Sequence, residues 1–428
     1  MPYKTETLKN GLRVVTVGAP HLHSLDLTLY FKVGSRNDPP DRKGMAHFLE
    51  HMVFRGAKRF PSSLDLEIAF EEIGGTVNAA TDADSTCFYA RIQPESLERG
   101  VELLAAMVQE PLLRDVLIER DIILEEALED LGELGDEINP DVVVSRLLWP
   151  DHPLGEPVIG DREGIASITE QDLRQHLQTW YTPANAVLVG VGPISHQAMV
   201  EAAQRYAGAW REAPTPQTLP FTSETLAGPV IKLVQEAASQ MTVQMGFRSM
   251  SRHDEAMPAI KILRRLLAGS GSSRLHLALR ERLGLVYAVD VTLGSYEETG
   301  CIAIDFSTGP DKLEQVLKAL GHELALVCRE CADVDELSRI KKVYRAELSY
   351  SRDSVVELGA RYGWGTLMGV VRSIEQEQAM VQNVDSEAVR QLASQLFRLE
   401  NMVLAIIGPL EGLASATVTN WLSEALEP

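Results

Sequence analysis

The first fifty residues contain two stretches whose apolar pattern is typical of β-strands. Residues 11–17 are mostly β-branched and apolar, and residues 25–31 alternate apolar and polar side chains as far as Leu29. Alternation with a period of two places successive side chains on opposite faces of a strand. The segment 25–31 is therefore predicted to be half-buried, with one face toward solvent. A polar turn, residues 34–40, follows it.

After this turn the pattern changes to helical spacing, beginning with residues 44–56. A second helix is predicted to start with Ser62 or Ser63 as its N-cap and to run to Ile73, where Gly74 and its neighbour end it. Both helices precede a return to strand-like alternation.

Residues 76–81 and 86–92 are both typical of strands and are separated by a short polar turn. Two such runs with a short connection predict a β-hairpin. Helical patterns then return over residues 94–108 and again over about 115–131, so strands and helices are mixed along the first half of the chain.

The chain contains an internal repeat with an offset of 216 residues. Segments 181–193 and 397–409 each show a helix that leads into a buried strand and then a Gly-Pro turn, and Asn185 aligns with Asn401. A proline-rich stretch, 212–220, lies between the copies and suits a linker. We predict an α+β fold with two homologous domains, each a largely antiparallel β-sheet flanked by α-helices. The predicted boundaries are domain 1–212, linker 213–221 and domain 222–428.

Composition narrows the class of protein. A net charge of −21 over 428 residues argues against nucleic acid as a partner, because phosphate binding needs clustered Lys and Arg. No apolar run approaches the roughly 20 residues needed to cross a bilayer, and the N-terminal residues lack the apolar core of a signal peptide. We therefore expect a cytoplasmic protein without a membrane partner. All four cysteines are expected to be reduced structural thiols, including Cys328 and Cys331, which form a single C-x-x-C motif without a second pair to complete a zinc site.

The strongest chemical signal is the arrangement of two histidines and a glutamate within residues 44–56. His47 and His51 are four residues apart, so on a helix they project from one face, and Glu50 lies on nearly the same side. This is the inverted zinc-protease signature H-x-x-E-H, in which the histidines bind the metal and the glutamate acts as a base. A polar helix face without metal would show the same residues, so a further ligand is required.

A catalytic zinc site needs a third protein ligand. The predicted helix from 115 offers Glu119 together with Glu125 and Glu126, set among isoleucines. Glu119 and Glu126 are seven apart and share one helix face. Carboxylates on an apolar stripe are costly to bury unless they are paired or bind a metal. Periodicity alone does not choose between Glu125 and Glu126, and an acidic, solvated helix would also fit.

The chain resembles the pitrilysin family of inverzincins, which includes insulin-degrading enzyme and the mitochondrial processing peptidases. The resemblance covers most of the first half of the chain and rests on segments 34–37 (GSRN), 47–51 (HFLEH), 74–79 (GGTVNA), 119–126 (ERDIILEE), 152–155 (HPLG) and 181–185 (YTPAN).

The resemblance implies a zinc-dependent endopeptidase with one Zn²⁺ per chain. His47, His51 and Glu126 are the implied metal ligands, and Glu119 is the implied supporting carboxylate that orients the site. Glu50 is expected to act as general base on a zinc-bound water and to pass the proton to the leaving amine.

Two further sets of residues are expected to hold a peptide substrate. The stretch containing Asn78 and Ala79 is interpreted as an exposed edge strand to which an extended peptide adds by main-chain hydrogen bonds; an ordinary strand would fit the sequence equally well. In the second half, Arg280 and Tyr287 match the spacing of a family pair that reaches the substrate near the zinc. Tyr287 is expected to donate to the oxyanion and Arg280 to hold a carbonyl. Without the resemblance, Arg280 would be interpreted as a surface residue and Tyr287 as a core aromatic.

Relatives of this length often act as dimers, in which four domains enclose a chamber that admits peptides and unfolded segments. Because this chain carries both the metal motif and the Arg–Tyr pair, we expect a homodimer, while a heterodimer with a related chain is also compatible. Two other functions fit the same sequence. One is a maturation protease for a single precursor peptide, and the other is a non-catalytic partner or scaffold subunit of the same fold.

Overall fold

We describe a computed structural model of the chain, which covers residues 3–214, 216–221 and 226–426. Residues 215 and 222–225, in and just after the predicted linker, lie outside the described part, as do the two residues at each end. The strands are β1 (Tyr3–Thr7), β2 (Arg13–Gly18), β3 (Leu25–Phe31), β4 (Thr76–Thr81), β5 (Thr86–Ile92), β6 (Ala186–Gly192), β7 (Val230–Gln235), β8 (Met241–Ser249), β9 (Val289–Ser295), β10 (Gly300–Thr308) and β11 (Met402–Gly408).

The helices of the first half of the chain are α1 (Met45–Val53), α2 (Ser63–Glu71), α3 (Leu97–Gln109), α4 (Val116–Glu126), α5 (Pro140–Leu148), α6 (Arg162–Ser167), α7 (Glu170–Trp180) and α8 (His196–Ala207). Those of the second half are α9 (Met257–Leu267), α10 (Leu313–Arg329), α11 (Val334–Tyr350), α12 (Val355–Gly359), α13 (Gly365–Leu367), α14 (Ile374–Asn383), α15 (Ser386–Leu396) and α16 (Ser415–Leu426). Two π-helical segments, His276–Arg282 and Ala360–Trp364, complete them.

The strands form two sheets of matching topology. The first has the order β1-β2-β6-β3-β5-β4 and the second the order β7-β11-β8-β10-β9. Apart from β1, each strand of the first sheet has a counterpart in the second, and in both sheets a single neighbouring pair, β2–β6 or β7–β11, is parallel. The predicted α+β fold of two related, largely antiparallel sheets flanked by helices is confirmed.

Each sheet belongs to a compact unit that is discontinuous in sequence. The first unit comprises residues 1–127, 156–219 and 349–372, and the second comprises 128–155, 220–348 and 373–428. Helix α5, from the first half of the chain, packs on β8 and β11 of the second unit. Helix α12, from the second half, packs on β3 and β6 of the first unit. A cut at the predicted linker 213–221 would separate each sheet from one of its covering helices.

The two halves of the chain thus exchange helices, and this exchange shows that the prediction of a half-buried β3 is wrong. Both faces of β3 are covered, and the polar residues Asp26 and Thr28 are only 5% and 4% exposed. Their side chains are hydrogen-bonded to each other at 3.2 Å. The face that alternation assigned to solvent packs under α12 and the π-helical segment that follows it, where Gly363 lies against Tyr30 and Val189.

The local predictions were mostly accurate. The hairpin strands β4 and β5 and the strand β3 have the predicted bounds, and Ser62 is the N-cap of α2, accepting a hydrogen bond from the Asp65 N–H. Helix α4 ends five residues earlier than predicted, where a 3₁₀ turn over 127–130 begins. All four cysteines are free. Among the described residues, no helix has both the length and the apolar character needed to span a bilayer.

Candidate metal centre

Helix α1 presents the histidine motif because its other face is anchored in the core. Phe48, Leu49 and Met52 are fully buried. The start of the helix is fixed by Asp38, whose carboxylate accepts hydrogen bonds from the Gly44 N–H at 2.8 Å and the Ala46 N–H at 2.9 Å. An acidic group at a helix N-terminus satisfies free N–H groups and complements the helix dipole. The polar face of α1 is thereby held in a defined rotation.

The two histidines lie side by side on that face. The ring centroids of His47 and His51 are 4.6 Å apart. Helix α4 brings a carboxylate to them, and Ile123, which is fully buried, anchors that helix. Glu126 Oε1 lies 3.7 Å from His47 Nε2, and Glu126 Oε2 lies 3.5 Å from His51 Nε2.

His47, His51 and Glu126 form a group whose ligand atoms all lie within 4.8 Å of one another. In the part of the chain that the structure describes, no such group includes Glu125. The choice that periodicity left open between the two glutamates thus falls on Glu126 by geometry.

The buried carboxylate of Glu119 contacts His51 and Arg55. Its Oε1 lies 2.9 Å from His51 Nδ1, and its Oε2 lies 3.2 Å from Arg55 Nε. When Nδ1 of His51 donates to Glu119, the lone pair of the ring is on Nε2, the atom that faces Glu126. Arg55 balances the charge of Glu119, which is only 6% exposed. No sequence pattern indicated a role for Arg55, which lies beyond the end of α1.

Burial and nearby charges shift the pKa values of the two histidines in opposite directions. Burial, together with the neighbouring His51, lowers the pKa of His47 to about 4, so this imidazole is neutral with a lone pair available at pH 7. Burial would also lower the pKa of His51, but the hydrogen bond to Glu119 and the charges of Glu126, Glu119 and Glu50 raise it overall. The three carboxylates around His51 therefore stabilise a positive charge on its ring.

Glu50 stands beside the group and is not part of it. Its carboxylate accepts a short hydrogen bond from the hydroxyl of Thr81, the last residue of β4. Burial raises the pKa of Glu50, the Thr81 hydrogen bond and His51 oppose that rise, and Glu126 adds to it. A carboxylate with a raised pKa is a better proton acceptor. Thr81 was missed at the sequence level, because nothing in the pattern of β4 distinguishes its last residue.

The donor set fits Zn²⁺. Two imidazoles and one carboxylate are the ligands of many catalytic zinc sites, and the Glu119–His51 pair is the outer hydrogen bond that such sites share. His47 Nδ1 is buried without a hydrogen-bond partner among the described residues. The histidine therefore has its partners on the Nε2 side alone, the side of Glu126.

The residues predicted to hold substrate lie in two places. Asn78 is exposed and Ala79 half-buried on β4, which is the edge strand of its sheet and pairs only with β5 in the described part of the chain. Arg280 and Tyr287 lie in the second unit, where the guanidinium of Arg280 is 5.4 Å from the centroid of the Tyr287 ring. Tyr287 is 84% exposed, so it is not a core aromatic.

The second unit has lost the metal-binding positions. At the offset of 216, His47, Glu50 and His51 correspond to Leu263, Leu266 and Leu267 on α9, and all three leucines are buried. These three positions face the core, while the polar residues of α9, Lys261, Arg264 and Arg265, are half-buried and form ion pairs elsewhere. One metal group per chain follows from this, within the residues described.

Two family models match the chain. Residues 13–162 match the model of the Insulinase family (Peptidase family M16), and residues 167–344 match the Peptidase M16 inactive domain. The chain belongs to peptidase family M16. An M16 relative, an uncharacterized zinc protease of Bacillus subtilis, is 29% identical over 418 residues, covering 96% of this chain and 100% of the relative. Another, from Mycobacterium leprae, is 30% identical over 410 residues, covering 94% of this chain and 91% of the relative.

Solved structures of M16 type share the fold. A protease from Helicobacter pylori superposes with a TM-score of 0.88 at 20% identity, covering 95% of this chain and 99% of that one. A peptidase M16 inactive domain from Pseudomonas fluorescens gives a TM-score of 0.86 at 22% identity, with 96% and 98% covered. Such similarity shows the fold, while the chemistry of this M16 chain has to be argued from its own site.

Proposed function

We propose that this chain is a zinc-dependent endopeptidase that hydrolyses peptides or unfolded segments. One observation carries the proposal: His47, His51 and Glu126 converge within 4.8 Å, next to a buried glutamate that is outside the group. Relatives named as zinc proteases that align over nearly the whole chain support it.

Each polar residue of the site has a distinct task. His47, His51 and Glu126 would hold Zn²⁺, and Glu119 orients His51 by accepting from its Nδ1. When bound, Zn²⁺ supplies Lewis-acid chemistry that acidifies water and polarises a carbonyl. The Glu50 carboxylate takes a proton from the attacking water and delivers it to the nitrogen of the leaving amine. The Thr81 hydroxyl, by donating to Glu50, leaves one carboxylate oxygen free for that proton.

Edge strand β4 supports a mode of substrate binding. Its last residue, Thr81, touches the proposed base, so a peptide paired along β4 would pass the site. Main-chain pairing gives affinity with little sequence preference, because it uses groups that all residues share. Asn78 and Ala79 are proposed as part of this strand-pairing surface.

Arg280 and Tyr287 are proposed as further substrate contacts supplied by the second unit. The exposure of Tyr287 and its pairing with Arg280 support a role at a surface. A single type of chain carries both these residues and the metal group, which supports a homodimer as the working assembly.

The proposal is tested by metal content together with chelator-sensitive cleavage of a mixed peptide library. The purified chain is expected to hold one zinc and to lose cleavage with a chelator. Glu50→Gln is expected to keep the zinc and to lower kcat by about 10²–10⁴-fold, because the proton acceptor is removed. Normal turnover by Glu50→Gln would refute the assignment. Absence of both zinc and cleavage would favour a non-catalytic partner subunit.

A further inference from the structure

Helix α4 displays three large aliphatic side chains to solvent. Leu117, Ile118 and Ile122 are 68%, 55% and 47% exposed. Single exposed apolar residues are common, but three within six residues form a patch that usually marks a binding surface. The same helix supplies Glu119 and Glu126 to the metal centre, so the patch is continuous with that site along one element.

Helical geometry divides the patch in two. Ile122 is one turn before Glu126 and Ile118 is one turn further back, so these residues form a row about 12 Å long that ends at a metal-binding carboxylate. Leu117 is nine residues from Glu126, which places it on the opposite side of the helix. Ile118 and Ile122, defined here as the isoleucine row, are therefore beside the site, and Leu117 is not.

We propose that the isoleucine row binds an apolar side chain of the peptide substrate, close to the bond that is cleaved. This proposal rests on the proposed function and adds a preference to it. An extended peptide advances about 3.3 Å per residue, so a row of 12 Å spans residues within about four positions of the reacting bond. The row is bordered by the exposed carboxylates of Asp121 and Glu125, which disfavour acidic residues in the peptide and leave apolar, neutral or basic ones.

The test compares Ile118→Ser and Ile122→Ser with the control Leu117→Ser. All three residues are at least 47% exposed, and Ser has nearly the helix propensity of Ile, so each variant is expected to fold and to bind zinc. The substrates are pairs of peptides that differ at a single position, which holds Leu in one peptide and Gly in the other. The varied position lies within four residues of the cleaved bond, and kcat/KM is measured for both peptides of each pair. Burying the exposed half of an isoleucine predicts that the Leu-over-Gly preference falls about fivefold in each row variant and is unchanged in Leu117→Ser.

A second readout separates this proposal from the catalytic one. Anisotropy of labelled Leu and Gly peptides is measured on Glu50→Gln, with and without Ile122→Ser. A preference for Leu that Ile122→Ser abolishes supports the row even if the wild-type protein cleaves nothing. The proposal is overturned if Ile122→Ser leaves the preference for Leu over Gly unchanged, or if Leu117→Ser reduces that preference equally. A change of molecular mass in Ile122→Ser with an unchanged preference also overturns it, and would show that the row is an interface between copies.

Discussion

Glu119 shows how one buried side chain can determine the chemistry of another. Its two oxygens contact His51 Nδ1 and Arg55 Nε, so its position and charge are both fixed. A carboxylate buried in this way would be costly without those partners. We propose that Glu119 selects the tautomer of His51 and keeps Nε2 directed at Glu126.

Glu119→Gln is therefore expected to weaken zinc binding by about 10–100-fold while all three ligands remain. The measurement is zinc affinity by competition with a chromophoric chelator. Glu125→Gln is the control, because Glu125 is an exposed carboxylate on the same helix and lies outside the metal group. Equal zinc affinity in the wild type and Glu119→Gln would show that Glu119 has no part in the site.

A half-buried carboxylate, Asp305 on β10, acts on stability rather than on chemistry. The Gln244 side chain donates to both Asp305 and Asp141 at 2.6 Å, and Asp305 Oδ2 is buried without a hydrogen-bond partner among the described residues. Burial, with the charge of Asp141 and Asp290 added, raises the pKa of Asp305 to about 6. Since the folded pKa exceeds the unfolded value, this group stabilises the protein below pH 4, and that contribution is lost as the pH rises toward 6.

Asp305→Asn is accordingly expected to be more stable than the wild type above pH 6, by about 1–2 kcal/mol after allowance for partial exposure. The difference should shrink on acidification and approach zero near pH 4. Urea unfolding of the two proteins at pH 4.5 and pH 7.5 measures it, with the exposed Asp311→Asn as control. A difference that is independent of pH would contradict the assignment.

The sequence predicted the site residues better than their partners. The histidine pair and Glu50 come from spacing, and the choice of Glu126 came from family resemblance. Thr81 and Arg55 lie at the ends of elements, where no periodic pattern distinguishes one polar residue from another. Their roles depend on where β4 and α4 meet α1, which is a tertiary property.

At the scale of elements, the first sheet is covered by a helical segment that brings two glycines against it. Where α12 and the following π-helical segment cross β3 and β6, the chain places Gly359 and Gly363 against the sheet. A Cβ at Gly363 would lie 2.7 Å from Val189 Cγ1 and 2.8 Å from Tyr30 Cε2, closer than packed atoms allow. A Cβ at Gly359 would lie 3.9 Å from Val191 Cγ2, an ordinary contact.

The two glycines therefore form a matched pair of test positions. Gly363→Ala is expected to lower the free energy of unfolding by about 1–3 kcal/mol through overpacking. Gly359→Ala should be neutral or stabilising by up to about 1 kcal/mol, because alanine is the better helix former. Chemical denaturation measures both. Equal effects of the two substitutions would show that the close packing at Gly363 does not limit stability.

Helix α12 also explains why the sequence pattern wrongly predicted a solvent-exposed face for β3. Strand β3 alternates as a half-exposed strand does, and its bounds were predicted from that pattern. Its second face is covered by residues more than 320 positions later in the chain, which local periodicity does not register. By contrast β4 and β5 are consecutive, so their turn and alternation were sufficient.

At the scale of the whole molecule, the duplication and the exchange are one feature. With the offset of 216, α5 corresponds to residues 356–364, which include most of α12 and the π-helical segment. Each half of the chain thus contributes the equivalent helix to the other half's sheet. The repeat in the sequence indicated two related halves but not which sheet each helix covers.

Residues 1–221 expressed alone are expected not to fold cooperatively, because the β3–β6 face would lack α12. Binding of a hydrophobic dye and a broad urea transition would report this. Co-expression with residues 222–428 should restore a cooperative transition. A stable, monomeric fragment 1–221 with a sharp transition would show that α12 is dispensable for the first sheet.

The exchange also sets an order of events during synthesis. Strand β6 completes the first sheet at Gly192, but its cover begins at Val355, so residues 193–354 must be translated in between. At the usual rates of elongation this takes roughly 10–30 s. Throughout that interval the nascent chain carries a sheet with one uncovered face, which makes ribosome-bound chains a natural target for chaperones.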